Sequence, residues 1–248
     1  MPDFKVSLFG SFARPKDWEW FWGQLSMNTI EYQIVMMGPN KPDNLILPDN
    51  VMFGHVQPDP GPALCCFLAS KYCTGETMMQ VGDDMVFTPY ALDEVYNTYK
   101  RENDYKCMVH CRYGFGPDSD VTDVNTELKI PGSDKRWGLG CLYSRQFYWE
   151  LGGIDKRYHA GATDGEVQLR AYSRSGRAVY ASNAYVQEDL TRTPDPQSGN
   201  ALNFERAWYR WGGQTDNEIM RQQWFPDGVL LNESTTPFQP IETVVGEA

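Results

Sequence analysis

The chain has 248 residues, with 33 acidic side chains against 22 Lys and Arg and a formal net charge of −11. That length can bury a substantial core, and no apolar run approaches the ~18 residues of a membrane-spanning helix. The acid excess disfavours extended contact with phosphate backbones, which are held largely by Lys and Arg. Residues 1–5 carry neither the basic nor the apolar stretch of a secretory signal, so the sequence reads as a soluble cytoplasmic protein with no membrane span. The six cysteines, Cys65, Cys66, Cys73, Cys107, Cys111 and Cys141, form no CxxC pair and no zinc-finger spacing, and read as buried reduced thiols.

Short β-rich runs alternate with helical patterns through the first hundred residues, the order expected of an α/β layer. Residues 4–9 read as a first strand. Trp18, Phe21, Trp22 and Leu25 then fall at i, i+3, i+4 and i+7, one face of a helix, with Asp17 as its cap. Residues 32–37 form a second strand closed by Gly38-Pro39-Asn40, and 51–54 a short third. Residues 62–72 read as a helix with Cys65 and Cys66 on its apolar face, and 77–81 as a buried strand running into Gly82-Asp83-Asp84. Leu92, Val95, Tyr96 and Tyr99 mark the next helix. Beyond it the spacing predicts a strand over 106–112, a polar Gly/Pro/Asp-rich loop region over 114–136, and a strand over 137–143. A short helix over 144–151, a longer one over 164–175 and a last strand over 178–182 follow. Residues 222–248 hold four acids, three prolines and no Lys or Arg, and read as an acidic C-terminal arm.

The sharpest chemical feature is the pair Asp83-Asp84 at the end of a hydrophobic strand. Open α/β sheets bind ligands outside the carboxyl ends of their strands. Two carboxylates there suit a hard divalent cation that shares its oxygen ligands with substrate phosphates. Taken by itself, an Asp-Asp pair is equally a solvated turn with one acid capping the next helix.

Its surroundings resemble the GT-A fold glycosyltransferases, especially the group typified by family 2. Ser11-Phe12-Ala13-Arg14-Pro15 looks like that group's S-x-N-R turn after the first strand, and Gly82-Asp83-Asp84 looks like its DxD metal motif, trailed by Pro89. Leu151-Gly152-Gly153-Ile154-Asp155-Lys156-Arg157-Tyr158 resembles the GGFDExF segment. Thr163-Asp164-Gly165-Glu166-Val167-Gln168-Leu169-Arg170 resembles the EDxDLxxR helix start that follows it.

The resemblance implies one GT-A-like α/β domain over residues 1–248, with a mostly parallel central sheet flanked by helices. A Rossmann-like donor half would run to about residue 105 and an acceptor half over 106–221. It further implies transfer of a sugar from a nucleoside diphosphate sugar, a UDP- or GDP-sugar, to a glycan or other acceptor hydroxyl, with inversion. Asp164 becomes the general base and Glu166 its neighbour orienting the acceptor or Asp164. Ser11, Phe12, Arg14, Asn40, Asp83 and Trp137 become donor contacts, and Asp84 with Asp83 the ligands of a Mn2+ or Mg2+ ion; Ser11, Phe12, Arg14 and Asn40 read equally as turn residues and Trp137 as a core residue. Asp164 also reads as a helix cap and Glu166 as a first-turn acid favoured by the helix dipole.

The sequence departs from that pattern in three places. Gly82 stands where the first Asp of DxD would be. Cys65, Cys66 and Phe67 replace the usual Ala-Arg-Asn step. Gln187-Glu188-Asp189 occupies the region of the late metal-binding histidine, while His55, His110 and His159 lie elsewhere. Either Glu188 or Asp189 substitutes as an oxygen ligand, or Asp84, diphosphate and water hold the ion. Two rival functions remain: a GT-A-like binding or scaffold protein without catalysis, and a sugar nucleotidyltransferase, whose Gly-rich phosphate loop after the first strand is not visible.

Overall fold

In a computed structural model of the chain, residues 4–42, 44, 46–58, 61–115, 135, 136, 138–154 and 163–188 are described. The first strand, β1 (Val6–Ser11), is buried along nearly its whole length. Its residues serve both faces of the sheet, as a central strand with helices on each side requires. Val6 and Leu8 join Ile34 and Met36 in one core, with Trp18, Phe21 and Leu25. Phe9 joins Val35 and Met37 in the other, with Cys65, Cys66 and Phe67. The period of two along the strands sorts these side chains to opposite faces.

The further strands are β2 (Tyr32–Gly38), β3 (Val51–His55), β4 (Thr77–Gln80), β5 (Met85–Phe87), β6 (Cys107–Phe115), β7 (Cys141–Ser144) and β8 (Arg177–Glu188). Among the described residues they form one eight-stranded sheet in the order β3-β2-β1-β4-β7-β6-β8-β5. Its pairings β1–β2, β1–β4, β2–β3 and β6–β8 are parallel, while β4–β7, β6–β7 and β5–β8 are antiparallel. The expected mixed α/β sheet, parallel in most of its pairings, is therefore present.

The helices are α1 (Trp18–Gln24), α2 (Pro62–Ser70), α3 (Ala91–Glu102), α4 (Arg145–Glu150) and α5 (Thr163–Ser173). The stripe predicted for α1 faces the core through Trp18 and Phe21, although Asp17 makes no side-chain cap. Ser144 does cap α4, its Oγ accepting from Phe147 N–H at 3.0 Å. Helices α1 and α3 contribute to one core and α2, α4 and α5 to the other. All six cysteines are free thiols and buried, as the absence of paired spacings implied. No described helix is long and apolar enough to cross a membrane.

Strand β6 runs on to Phe115, into the expected loop region, and β7 begins at Cys141 instead of residue 137; two further differences shape the site. Strand β5 follows Asp83-Asp84 directly, where no strand was expected; three residues are too few for a periodicity to register. Strand β8 runs on to Glu188 instead of ending at Ser182. Its register against β6 jumps between His110↔Tyr180 and Arg112↔Tyr185, so β8 bulges over the turn-like, exposed Ser182-Asn183 and then resumes. Beyond the bulge it pairs with β5, setting Glu188 opposite Met85, one residue past Asp84. Asp189, His159, the Asp155 to Tyr158 stretch and the arm at 222–248 lie outside the described residues.

Candidate active site

A cavity of about 330 Å³ opens at the carboxyl ends of β1 and β4. Ser11, Ala13 and Arg14 reach it from the end of β1, and Gly82, Asp83 and Asp84 from the end of β4. Cys66 of α2, Gly138 and Gly140 before β7, and Thr163 and Asp164 of α5 also line it. This is the crevice that an α/β sheet offers to a ligand.

The loop after β1 is drawn across the end of the sheet by close backbone approach. A side chain on Gly10 would overlap the Val81 carbonyl, and one on Gly38 the Phe12 carbonyl. Phe12 N–H donates to the Met37 carbonyl at 2.8 Å. Asp83 then fastens the loop: Ala13 N–H and Arg14 N–H both donate to its Oδ2, at 3.1 and 3.0 Å. Arg14 Nε donates to Oδ1 at 2.9 Å, and Arg14 Nη2 donates to the same oxygen. A carboxylate has about four acceptor positions, and these four N–H groups fill them. Arg14 Nη2 also lies 3.3 Å from Asp84 Oδ2, so one guanidinium spans both acids.

Burial pushes the Asp83 carboxyl upward against the pull of Arg14. Burial also opposes the charge on Arg14, and Asp83 and Asp84 together more than reverse that, raising the guanidinium above its ordinary value. The departure at Gly82 has a steric reason. No positive φ demands glycine there, but a Cβ would overlap Asp84 Oδ1. Asp84 folds back over residue 82, and an Asp at that position would dislodge it.

Asp164 stands half-buried in the first turn of α5 and lines the cavity. Burial raises its carboxyl above the usual aspartate range, with the amides of Gly165 and of Asp164 itself pulling the other way. The rest of α5 is tied down at several points. Gln168 donates to the Gly138 carbonyl at 2.9 Å and accepts from Gly138 N–H at 3.2 Å, fixing the chain before β7. Arg170 donates to the carbonyls of Leu151 (2.5 Å) and Gly153 (2.6 Å) and pairs with Glu166 Oε2 at 2.5 Å. Gly152 and Gly153 both have positive φ, so the turn that Arg170 grips needs its two glycines.

Of the residues singled out in the sequence, the cavity brings together Ser11, Arg14, Asp83, Asp84 and Asp164. Phe12 is a correction. It has no exposed surface and packs edge-on against Trp18 and Phe21, so it belongs to the core and not to a donor surface. Glu166 is a second correction: it is 3 % exposed, outside the cavity wall, and committed to Arg170. Asn40 is exposed and donates to the Ala13 carbonyl at 2.8 Å, so it braces the loop from outside. Trp137 lies outside the described residues.

Sequence reasoning missed Gln80, whose Nε2 donates to Thr163 Oγ1 at 3.3 Å, joining β4 to the start of α5 inside the cavity. It also missed Cys66 as a wall residue. Burial, reinforced by Asp164 and Asp83, pushes that thiol up to about 12, so it is a neutral lining group. For Gln80 the signal was a polar side chain following the apolar Met78 and Met79 at the end of a strand; for Cys66 there was none.

Comparison with solved structures finds the same fold. The crystal structure of S. aureus TarS, a GT-A fold glycosyltransferase, matches with a TM-score of 0.59 over 89% of this chain at 13% identity. TarS 1-349 in complex with UDP matches with a TM-score of 0.61 over 97% of this chain and 77% of that one, at 12% identity. The complex of the same fragment with UDP-GlcNAc gives 0.61 over 97% and 78%, also at 12%. This chain spans 42% of the length of the first of these. At such identities the likeness establishes the GT-A fold. No family model and no curated protein matches the sequence.

Proposed function

We propose that the chain is a glycosyltransferase that moves a sugar from a nucleoside diphosphate sugar to an acceptor hydroxyl, with inversion. The observation that carries this reading is the single cavity into which Arg14, Asp83, Asp84 and Asp164 all converge at the carboxyl ends of β1 and β4. The nucleotides bound by TarS in its complexes, UDP and UDP-GlcNAc, make a uridine diphosphate sugar the first donor to test.

In this reading Asp164 accepts the proton of the acceptor hydroxyl as that oxygen bonds to the anomeric carbon and the bond to the diphosphate breaks. One displacement inverts the centre. Its raised pKa makes Asp164 a stronger base than an exposed aspartate. Asp83 holds the loop that carries Arg14, and the guanidinium is suited to bidentate contact with the diphosphate.

A divalent cation fits the cavity in part. Arg14 already occupies the position of a cation between the two acids, which marks a place for positive charge. Asp84 is the residue to hold the ion, since the acceptor positions of Asp83 are filled. When bound, the ion supplies charge that offsets the negative charge growing on the departing diphosphate. Among the described residues no group of three or more His, Cys, Asp or Glu side chains gathers to hold a metal. The remaining ligands in this proposal are diphosphate oxygens and water.

The test is thermal unfolding with UDP, GDP, CMP and dTDP, each with and without Mn2+. A diphosphate at a hundred times its dissociation constant stabilises by about 2.7 kcal/mol, or roughly 5 to 10 °C for a chain this size. A Mn2+-dependent rise with one nucleotide is expected; no rise with any of them overturns the reading. Gly82→Ala is expected to leave unfolding unchanged without ligand, because only the end of the Asp84 side chain must move, and to reduce the Mn2+-dependent rise.

The saturation of Asp83 favours one second reading, a nucleotide-binding protein without turnover. Donor hydrolysis separates the two, because a binding module holds the sugar nucleotide and releases it intact.

A further inference from the structure

The four N–H groups on Asp83 are of two kinds. Ala13 and Arg14 amides hold Oδ2 and belong to the fixed backbone of the loop. Oδ1 is held by the Arg14 side chain, through Nε and Nη2, and Nη2 is also 3.3 Å from Asp84 Oδ2. Withdrawing that side chain would therefore leave the loop anchored while opening one oxygen of Asp83 and one edge of Asp84. The guanidinium has room to move: it lines the cavity, and its side chain is 17% exposed against 5% for Asp83.

We propose that Arg14 is an exchangeable counter-cation of the Asp83-Asp84 pair, so that its guanidinium and a divalent ion are alternative occupants of the same carboxylate edge. The buried Asp83 and its half-buried neighbour Asp84 repel each other, and Arg14 neutralises that repulsion when no ligand is bound. A divalent ion at Asp84 would face the guanidinium across a few ångströms with like charge, so the two do not share the edge. A nucleoside diphosphate resolves the competition. Its oxygens are bidentate acceptors for a guanidinium, so Arg14 moves from carboxylate to diphosphate as the ion takes Asp84. The free chain is then weakly metal-binding by construction, and metal and nucleotide bind with positive coupling, each raising the affinity of the other by the same factor.

The proposal rests on Asp84 being the cation ligand of the reading above, and it needs no sugar donor, so the test uses Mn2+ alone, followed by electron paramagnetic resonance of the free ion. Arg14→Gln is expected to bind Mn2+ about tenfold or more tightly than the unaltered chain, the scale of a close charge-pair coupling. Adding UDP is expected to tighten Mn2+ binding strongly in the unaltered chain and much less in Arg14→Gln. An affinity in Arg14→Gln equal to or weaker than that of the unaltered chain overturns the exchange. If Arg14→Gln does not fold by circular dichroism, Arg14→Lys serves instead. It keeps one charge but loses the fork, and is expected to tighten Mn2+ several-fold; an unchanged affinity overturns the proposal there too. Asp84→Asn in the Arg14→Gln background separates the two readings, because undiminished Mn2+ binding in that double variant removes Asp84 from the site whatever Arg14 does.

Discussion

Asp164→Asn is expected to lower the transfer rate by a factor of about 100 to 10,000, the range that general-base catalysis contributes, while leaving nucleotide-dependent stabilisation intact. The amide keeps the shape and the hydrogen bonds of the first turn of α5 but cannot accept the acceptor's proton. A steady-state assay beside the thermal shift checks it; transfer that survives the substitution removes Asp164 as the base. The pH dependence follows from the same burial. The base must be ionised, and its carboxyl titrates above the usual aspartate range, so the acidic limb of kcat/KM lies higher than an exposed aspartate would put it.

Stability moves in the opposite sense. A carboxyl whose folded pKa is raised favours the protonated folded state, a contribution fully present below the unfolded pKa and lost as pH rises through the folded one. At neutral pH the ionised, half-buried Asp164 is a cost to the fold. Asp164→Asn is therefore expected to unfold at a temperature equal to or above that of the unaltered chain at pH 7, with the difference shrinking as the pH falls. Lost activity with undiminished stability is the signature of a functional carboxylate.

The parts of the fold that were legible in the sequence are those fixed by local periodicity. Trp18, Phe21 and Leu25 share a helix face because 3.6 residues make a turn, and Phe9 and Leu8 serve opposite cores because a strand alternates. What was not legible depends on pairings remote in sequence. Strand β5 exists because Val86 and Phe87 meet Gln187 and Val186 past a bulge, and nothing in three residues announces it. The candidate site divides in the same way. Their place at a strand end brought Asp83 and Asp84 to notice, resemblance added Asp164, and the three do meet in one cavity. That Asp83 spends its oxygens on the loop of residues 13 and 14 follows from β1 and β4 lying side by side, Phe9 opposite Gln80, which only the assembled sheet reveals. Phe12 was misassigned because its place in a motif outweighed its chemistry: an aromatic ring three to nine residues from other large aromatics is first of all a core residue.

Glu166 was misassigned against a signal that the sequence did contain. Glu166 and Arg170 stand at i and i+4 on a helix, the spacing of an intrahelical ion pair, and in the structure both are 3% exposed at the side chain and in contact. Such a pair is worth little net as a stabiliser, but removing one partner strands a buried charge. Arg170→Met is accordingly expected to cost about 3 to 5 kcal/mol, a fall of roughly 10 °C in unfolding temperature at this size. The carbonyl contacts enter the same loss, because Arg170 also grips the Leu151 and Gly153 carbonyls, whose turn relies on the positive φ of Gly152 and Gly153. The double variant Glu166→Gln/Arg170→Met is expected to regain part of the stability, since the stranded carboxylate is gone while the two carbonyls stay unclaimed. A double variant no more stable than Arg170→Met would mean that the carbonyl contacts, not the ion pair, hold the helix bearing Asp164 against the turn.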